Sequence, residues 1–204
     1  MLARDARALD VLEERGPAPA AGYADVLSPD ECARVRELAD EQESAPARVG
    51  LAAVEDSDVR RAAVCELELG DDTAWIYDRI ASYVELANAT VFRFDLVGFE
   101  GAFQYVEYGP DQFFEWHQDA GPGATAQRKL AAVCMLSRAD EYDGGELEFP
   151  VGLLDPVPEV AELVSKRMQG ALVLFPGYQL HRVTPVTRGL RRSLIAWING
   201  PAFR

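Results

Sequence analysis

The sequence predicts an α+β fold: an antiparallel jelly roll, or double-stranded β-helix, with N-terminal helices packed on one face. Three observations carry this. The first ninety residues hold two segments with helical start signals or helical apolar spacing. From Thr90 onward the texture changes to short β-branched or aromatic runs separated by Gly, Pro and Asp. The chain has 204 residues, 49% of them hydrophobic, enough for one well-buried core with a small helical appendage. The division expected is a helical region at 1–90 that braces the barrel and a jelly-roll core at 91–204, in one structural domain overall.

Taken in order, "MLARDARALDVLEERG" reads as a short amphipathic helix carrying Leu2, Leu9, Val11 and Leu12, and "GPAPAAG" at Gly16–Gly22 as a hinge. In "LSPDECARVRELADEQ" Ser28 is the expected N-cap, Pro29 the first helical residue and Glu31 the second half of a capping box. Cys32, Val35, Leu38 and Ala39 then keep helical spacing. "DDTAWIYDRIASYVELAN" predicts a second helix with Trp75, Ile76, Ile80, Tyr83, Val84 and Ala87 on one side. The runs "VFRFDLVGF", "AFQYVEYG", "KLAAVCML", "GELEFP", "GALVLFPG", "LHRVTPVT" and "RRSLIAWING" read as strands, about eight in all, the count a sandwich or barrel needs. "YDGGELEFP" reads as a hairpin turning on Asp143, Gly144 and Gly145. One short helix is expected between residues 151 and 169.

Charge and composition narrow the function. Acidic residues outnumber basic ones 34 to 20, for a net charge of −14. That balance argues against nucleic acid as a partner, because phosphate contacts are made by basic patches. No apolar run approaches the roughly 20 residues of a membrane span. The first residues mix acids and bases, unlike the basic-then-apolar layout of a secretory signal, and the expected location is cytoplasmic. Three cysteines without a C-x-x-C pair do not form a disulfide framework, and Cys134 in "AAVCML" reads as a buried thiol. The expected partner is a small molecule or a neutral to basic peptide.

The chain has two histidines, His117 and His181. His117 stands in H-x-D with Asp119, and residues two apart on a strand point to the same face. A second imidazole from His181 would complete two nitrogens and one oxygen, the facial triad of non-heme Fe(II) oxygenases, with positions left open for a co-substrate and O₂. The same ligands suit zinc and hydrolysis. Downstream lie Arg191 and, on the same strand face, Ser193, with Arg192 pointing the other way. A buried guanidinium offers the free carboxylate of a dicarboxylate such as 2-oxoglutarate a bidentate partner. Read alone, "TRGLRR" favours a surface basic turn.

Together, "YGPDQFFEWHQD", "RKLAAVCMLS", "YDGGELEF", "GALVLFPG" and "LHRVTPVTRGLRRSLIAWING" resemble the Fe(II)/2-oxoglutarate-dependent dioxygenases, in the prolyl-4-hydroxylase-like branch that includes the PKHD-type hydroxylases. The resemblance runs from about Phe92 to the C-terminus. It implies that His117, Asp119 and His181 bind iron, that Arg191 grips the distal carboxylate of 2-oxoglutarate, and that the Tyr108 hydroxyl helps hold it. Phe114 stands where relatives often have tyrosine, and Asp111 where glycine is common. Trp197 shares the face of Arg191 and Ser193 and is either a pocket wall or a core residue. The implied reaction consumes O₂ and 2-oxoglutarate, releases succinate and CO₂, and hydroxylates a C–H bond of an amino acid, peptidyl residue or small metabolite. Asp119 argues against halogenation, since halogenating relatives usually have a small residue there. "DAGPGATAQR" leaves Asp119 directly and is a candidate lid. A zinc hydrolase with the same ligands, or a jelly roll that binds without turnover, are the alternatives. Neither predicts dependence on 2-oxoglutarate and O₂.

Overall fold

A computed structural model describes residues 20–47, 58–150 and 158–203. The expected first helix, with Leu2, Leu9, Val11 and Leu12, lies outside the described residues, as does the start of the hinge.

Helix α1 (Pro29–Asp40) begins where its side chains dictate. The Ser28 hydroxyl accepts from the Glu31 amide at 3.2 Å, and the Glu31 carboxylate accepts from the Ser28 amide at 2.8 Å. The Ser28 amide, and the Arg79 guanidinium at 2.9 Å, hold the Glu31 carboxyl below its ordinary range. Helix α2 (Ala74–Ala87) buries Ile76, Ile80, Val84 and Ala87 as its spacing requires, and Tyr77 as well. The Tyr77 hydroxyl donates to the Leu67 carbonyl at 2.8 Å and accepts from the Phe103 amide at 3.1 Å. A buried tyrosine thereby finds its polar partners on neighbouring strands.

Fourteen strands are found among the described residues, and they begin before Thr90. Strands β1 (Ala21–Tyr23), β2 (Ala45–Pro46), β3 (Arg60–Arg61) and β4 (Ala63–Leu67) come from the segment read as helical. They are two to five residues long, too short for a period-2 signal, and their edges are defined by distant partners. A second correction concerns "VFRFDLVGF". The backbone continues from α2 as a π-helical turn over Asn88–Phe92, ended by Arg93 in the left-handed region at φ 57°. Only Gly98–Phe99, strand β5, is extended and paired. The expected short helix is α3 (Pro158–Ser165).

The remaining strands are β6 (Phe103–Tyr108), β7 (Phe113–His117), β8 (Arg128–Met135), β9 (Tyr142–Gly144), β10 (Leu147–Glu148), β11 (Leu172–Pro176), β12 (His181–Val183), β13 (Val186–Gly189) and β14 (Arg191–Asn199). The larger sheet runs β1-β11-β8-β14-β6-β4-β2, with β5 also on β14; a smaller one runs β10-β12-β7-β3. All pairings are antiparallel. The "YDGGELEFP" segment is not a hairpin. β9 pairs with β13 while β10 pairs with β12, so the chain crosses from one ladder to another at Gly144 and Gly145. The turn chemistry is as read, since both glycines take positive φ (72° and 66°).

One apolar cluster joins Cys32, Val35, Leu38, Ile76, Ile80 and Val84 to Leu130, Ala132 and Cys134 of β8, Leu172 and Leu174 of β11, and Leu194, Ala196 and Ile198 of β14. Burial pushes the Cys134 thiol well above its ordinary range, so it stays an inert thiol. No helix among the described residues is long and apolar enough to cross a membrane.

Candidate functional site

The site lies between the two sheets, where β7 and β12 of the smaller sheet face β6, β8 and β14 of the larger. β7 and β12 pair so that His117 stands opposite His181, with an irregularity in register just beyond. The imidazole ring centroids are 4.1 Å apart. Asp119 lies two residues past the end of β7, in a bend rather than on a strand, so alternation alone does not aim it. It nevertheless reaches both rings: Oδ1 is 3.8 Å from His117 Nε2, and Oδ2 is 3.7 Å from His181 Nε2. One donor atom from each of the three residues falls within 4.8 Å of the others.

The orientation of the rings is fixed from behind. Each Nδ1 faces a backbone carbonyl two residues earlier, Glu115 at 2.7 Å for His117 and Gln179 at 2.9 Å for His181. Donation from Nδ1–H to those carbonyls leaves the Nε2 lone pairs pointing at the Asp119 carboxylate, the tautomer a metal ligand needs. Burial, and next the neighbouring His181, lower the His117 pKa to about 3, so the ring is neutral at physiological pH. Phe114 stacks flat on His117, with centroids 3.4 Å apart. Two imidazoles and a carboxylate arranged in this way can hold Fe(II) or zinc.

Behind this cluster, β14 places Arg191, Ser193, Ile195 and Trp197 along one wall of an inner pocket, which Tyr108, Val133, Leu147, His117, Asp119 and His181 complete. Arg191 is 4% exposed, so it is not a surface arginine. Its Nη1 donates to the Ser193 hydroxyl at 3.1 Å, and its guanidinium carbon lies 5.5 Å from the centre of the Tyr108 ring, its partner in register. Among the described residues no carboxylate forms an ion pair with it. Arg192, one residue on, turns the other way and pairs with Glu107 at 2.8 Å. The Tyr108 hydroxyl and Trp197 Nε1 are buried without hydrogen-bond partners. Gly145 makes room for this arrangement, because a Cβ there would lie 2.8 Å from Arg191 Cδ.

A second, wider cavity of about 990 Å³ opens on the other side of the cluster. His117, Asp119, Phe114, Trp197 and Arg60 border both spaces, whereas Arg191, Tyr108, Ser193 and His181 border only the inner one. Gly121, Pro122 and Thr125, from the segment read as a candidate lid, line the wider cavity, and residues 123–127 form a 3₁₀ turn. Asp111 takes the left-handed conformation at φ 63°, which a glycine there would adopt freely. Sequence reasoning missed Arg60. Its strand is two residues long, and no periodicity distinguishes it from surface arginines.

Comparison with known proteins agrees with this geometry. A family model described as the 2OG-Fe(II) oxygenase superfamily matches residues 103–199. A PKHD-type hydroxylase of Acidovorax ebreus is 42% identical over 81 residues, 38% of this chain and 32% of the relative. Another, of Bordetella pertussis, is 39% identical over 100 residues, 45% of this chain and 40% of the relative. The matches thus span well under half the length of these relatives. Among solved structures, a Pseudomonas putida prolyl-4-hydroxylase superposes with a TM-score of 0.66 at 21% identity, covering 93% of this chain and 97% of that one. A Trichoplax adhaerens prolyl hydroxylase, solved with a peptide fragment of the hypoxia inducible factor oxygen degradation domain, gives a TM-score of 0.67 at 13% identity, covering 89% and 83%. The fold is theirs, and the segment that resembles the 2OG-Fe(II) oxygenase superfamily runs from β6 to β14, just under half of the chain.

Proposed function

We propose that this chain is a 2-oxoglutarate-dependent Fe(II) hydroxylase acting on an unactivated C–H bond of an amino acid, a peptidyl residue or a small metabolite. The observation that carries the reading is the convergence of His117, Asp119 and His181 within 4.8 Å. In this reading His117 Nε2, His181 Nε2 and the Asp119 carboxylate hold the iron. Arg191 receives the distal carboxylate of 2-oxoglutarate, with the Ser193 and Tyr108 hydroxyls beside it.

The residues suit that co-substrate chemically. A buried guanidinium with no carboxylate partner and a buried hydroxyl with no partner at all are what a dicarboxylate would satisfy. The inner pocket is narrow, about 30 Å³, so the co-substrate enters by displacing side chains, beginning with the Arg191–Ser193 hydrogen bond. When bound, iron and 2-oxoglutarate supply O₂-dependent C–H oxidation with release of succinate and CO₂. The chain's part is positional. The Glu115 and Gln179 carbonyls orient both imidazoles with Nε2 toward the metal position. Phe114 and Trp197 form apolar walls that keep bulk water away, and the helices sharing the β14 apolar cluster brace that strand in register. The wider cavity, at about 990 Å³, is of a size for an amino acid or peptide segment. The peptide in the Trichoplax structure supports the same substrate class.

The test is anaerobic. Metal-free protein given Fe(II) and 2-oxoglutarate should develop the weak visible charge-transfer band of a chelated complex. His181→Ala should abolish the band. A wild-type protein that binds iron and 2-oxoglutarate without any band would refute the reading.

A further inference from the structure

Arg60 is buried to 95%, yet two of its three guanidinium nitrogens, Nε and Nη2, have no hydrogen-bond partner. No carboxylate forms an ion pair with it among the described residues. What it touches is the Phe114 ring, its partner in the β3–β7 register, with the guanidinium carbon 4.7 Å from the ring centre. Phe114 in turn stacks on His117. A buried cation whose donors are unmet is costly, and stacking on a ring satisfies none of its N–H groups.

The position of Arg60 separates it from Arg191. Arg191 borders only the inner pocket, beside Tyr108 and Ser193. Arg60 also borders the wider cavity, together with the ring and the carboxylate of the candidate metal cluster. The site thus has two buried cations, one deep and one at the boundary with the space open to a second molecule. The other cation lining that cavity, Arg128, is already neutralised by Glu100 at 2.6 Å. The rest of the boundary wall is aromatic or belongs to the metal cluster.

We propose that Arg60 is a specificity-determining residue that binds a carboxylate of the primary substrate, so that the substrate is a carboxylate-bearing amino acid, free or at a peptide's C-terminus. This rests on the hydroxylase reading above. The forked Nε and Nη2 donors match a carboxylate in the bidentate geometry that a backbone carbonyl cannot fill. Holding the substrate by its acid group beside His117 and Asp119 puts the neighbouring carbons nearest the metal position.

The experiment uses full-length protein loaded anaerobically with Fe(II) and 2-oxoglutarate. The charge-transfer band is followed while each of the twenty free L-amino acids, and then the corresponding amide, is titrated in. At least one acid should perturb the band, and its amide should bind about 10²-fold more weakly, the loss expected when a charged partner is removed from a buried pair. Arg60→Gln should keep the band and its 2-oxoglutarate requirement while losing the difference between acid and amide, and Arg60→Lys should recover part of it. Loss of the band in wild-type protein would remove the hydroxylase reading itself, a distinct result. With the band present, three results overturn the carboxylate assignment: no amino acid perturbs it, acids and amides act equally, or Arg60→Gln raises the 2-oxoglutarate requirement as Arg191→Ala is expected to. A lower melting temperature of Arg60→Gln with unchanged acid-over-amide preference would likewise assign the guanidinium to packing alone.

Discussion

Strand β14 has two faces, and they are built on opposite rules. Leu194, Ala196 and Ile198 point into the apolar cluster shared with α1 and α2, and each is at most 3% exposed. Arg191, Ser193, Ile195 and Trp197 alternate with them and line the inner pocket. The first face is closed inside that apolar cluster. The second keeps a guanidinium, a hydroxyl and an indole N–H in a buried place, with Trp197 Nε1 and, across the strand pair, the Tyr108 hydroxyl left unpartnered. Period-2 alternation lets a single strand carry stability on one side and a polar site on the other. The separation teaches where substitutions should act: on folding from one face, on ligand from the other.

The sharpest test of that division is a pair of truncations on neighbouring faces. Arg191→Ala should raise the 2-oxoglutarate concentration needed for half-development of the charge-transfer band by about 10³-fold, since one partner of a buried charged pair is removed. Its urea midpoint should hardly fall, because the guanidinium has no carboxylate partner to strand. Leu194→Ala should cost about 3 kcal/mol of stability by cavity formation, with the 2-oxoglutarate requirement of the remaining folded protein within about twofold of wild type. If Leu194→Ala weakens 2-oxoglutarate as much as it weakens folding, the two faces are one unit and the comparison fails.

Much of this arrangement is legible in the sequence, and what is not has physical reasons. The α1 start could be read because a capping box is local, three residues long and chemically explicit. His117, Asp119, His181 and Arg191 could be singled out because only two histidines exist and their surroundings match a known pattern. The burial of Arg191 could not be read, because "TRGLRR" is also the composition of an exposed turn; only its pairing with Tyr108 decides. Arg60 was invisible for the same reason in stronger form. Two-residue β3 has no periodicity, and the strand it pairs with, β7, is more than fifty residues away. The Gly144–Gly145 turn was misread as a hairpin because positive-φ glycines serve a return and a crossover equally well. "VFRFDLVGF" has strand composition, yet α2 runs on into its first residues.

A third prediction sets the site against the core by pH. The folded His117 pKa, about 3, lies below the ordinary value of 6.5 because burial and then His181 disfavour its charged form. Between those two pH values the unfolded chain takes up a proton that the folded protein refuses. Stability of metal-free protein should therefore fall as pH drops through 6.5, with a limiting slope of about 1.4 kcal/mol per pH unit for one such proton. Urea midpoints at pH 7.5, 6.5, 5.5 and 4.5 would show it. His117→Phe should flatten that part of the profile, and a variant profile parallel to wild type would place the titrating group elsewhere.

The smallest effect is expected farthest from the site. Ser28→Ala removes one half of the capping box of α1 and leaves the Glu31 amide without its acceptor, at a cost of about 1 kcal/mol. For a chain of this size that corresponds to a melting temperature lower by about 3 °C. Helix α1 reaches β14 through Cys32, Val35 and Leu38 and the cluster they share with Leu194, so one route from the cap to the pocket runs through packed apolar side chains. If the two faces of β14 are energetically separate, the 2-oxoglutarate requirement of Ser28→Ala should match wild type while the melting temperature falls. A requirement that shifted threefold or more for so small a loss of stability would mean that the helices set the position of Arg191 through the strand, and that bracing belongs to the site as well as to the fold.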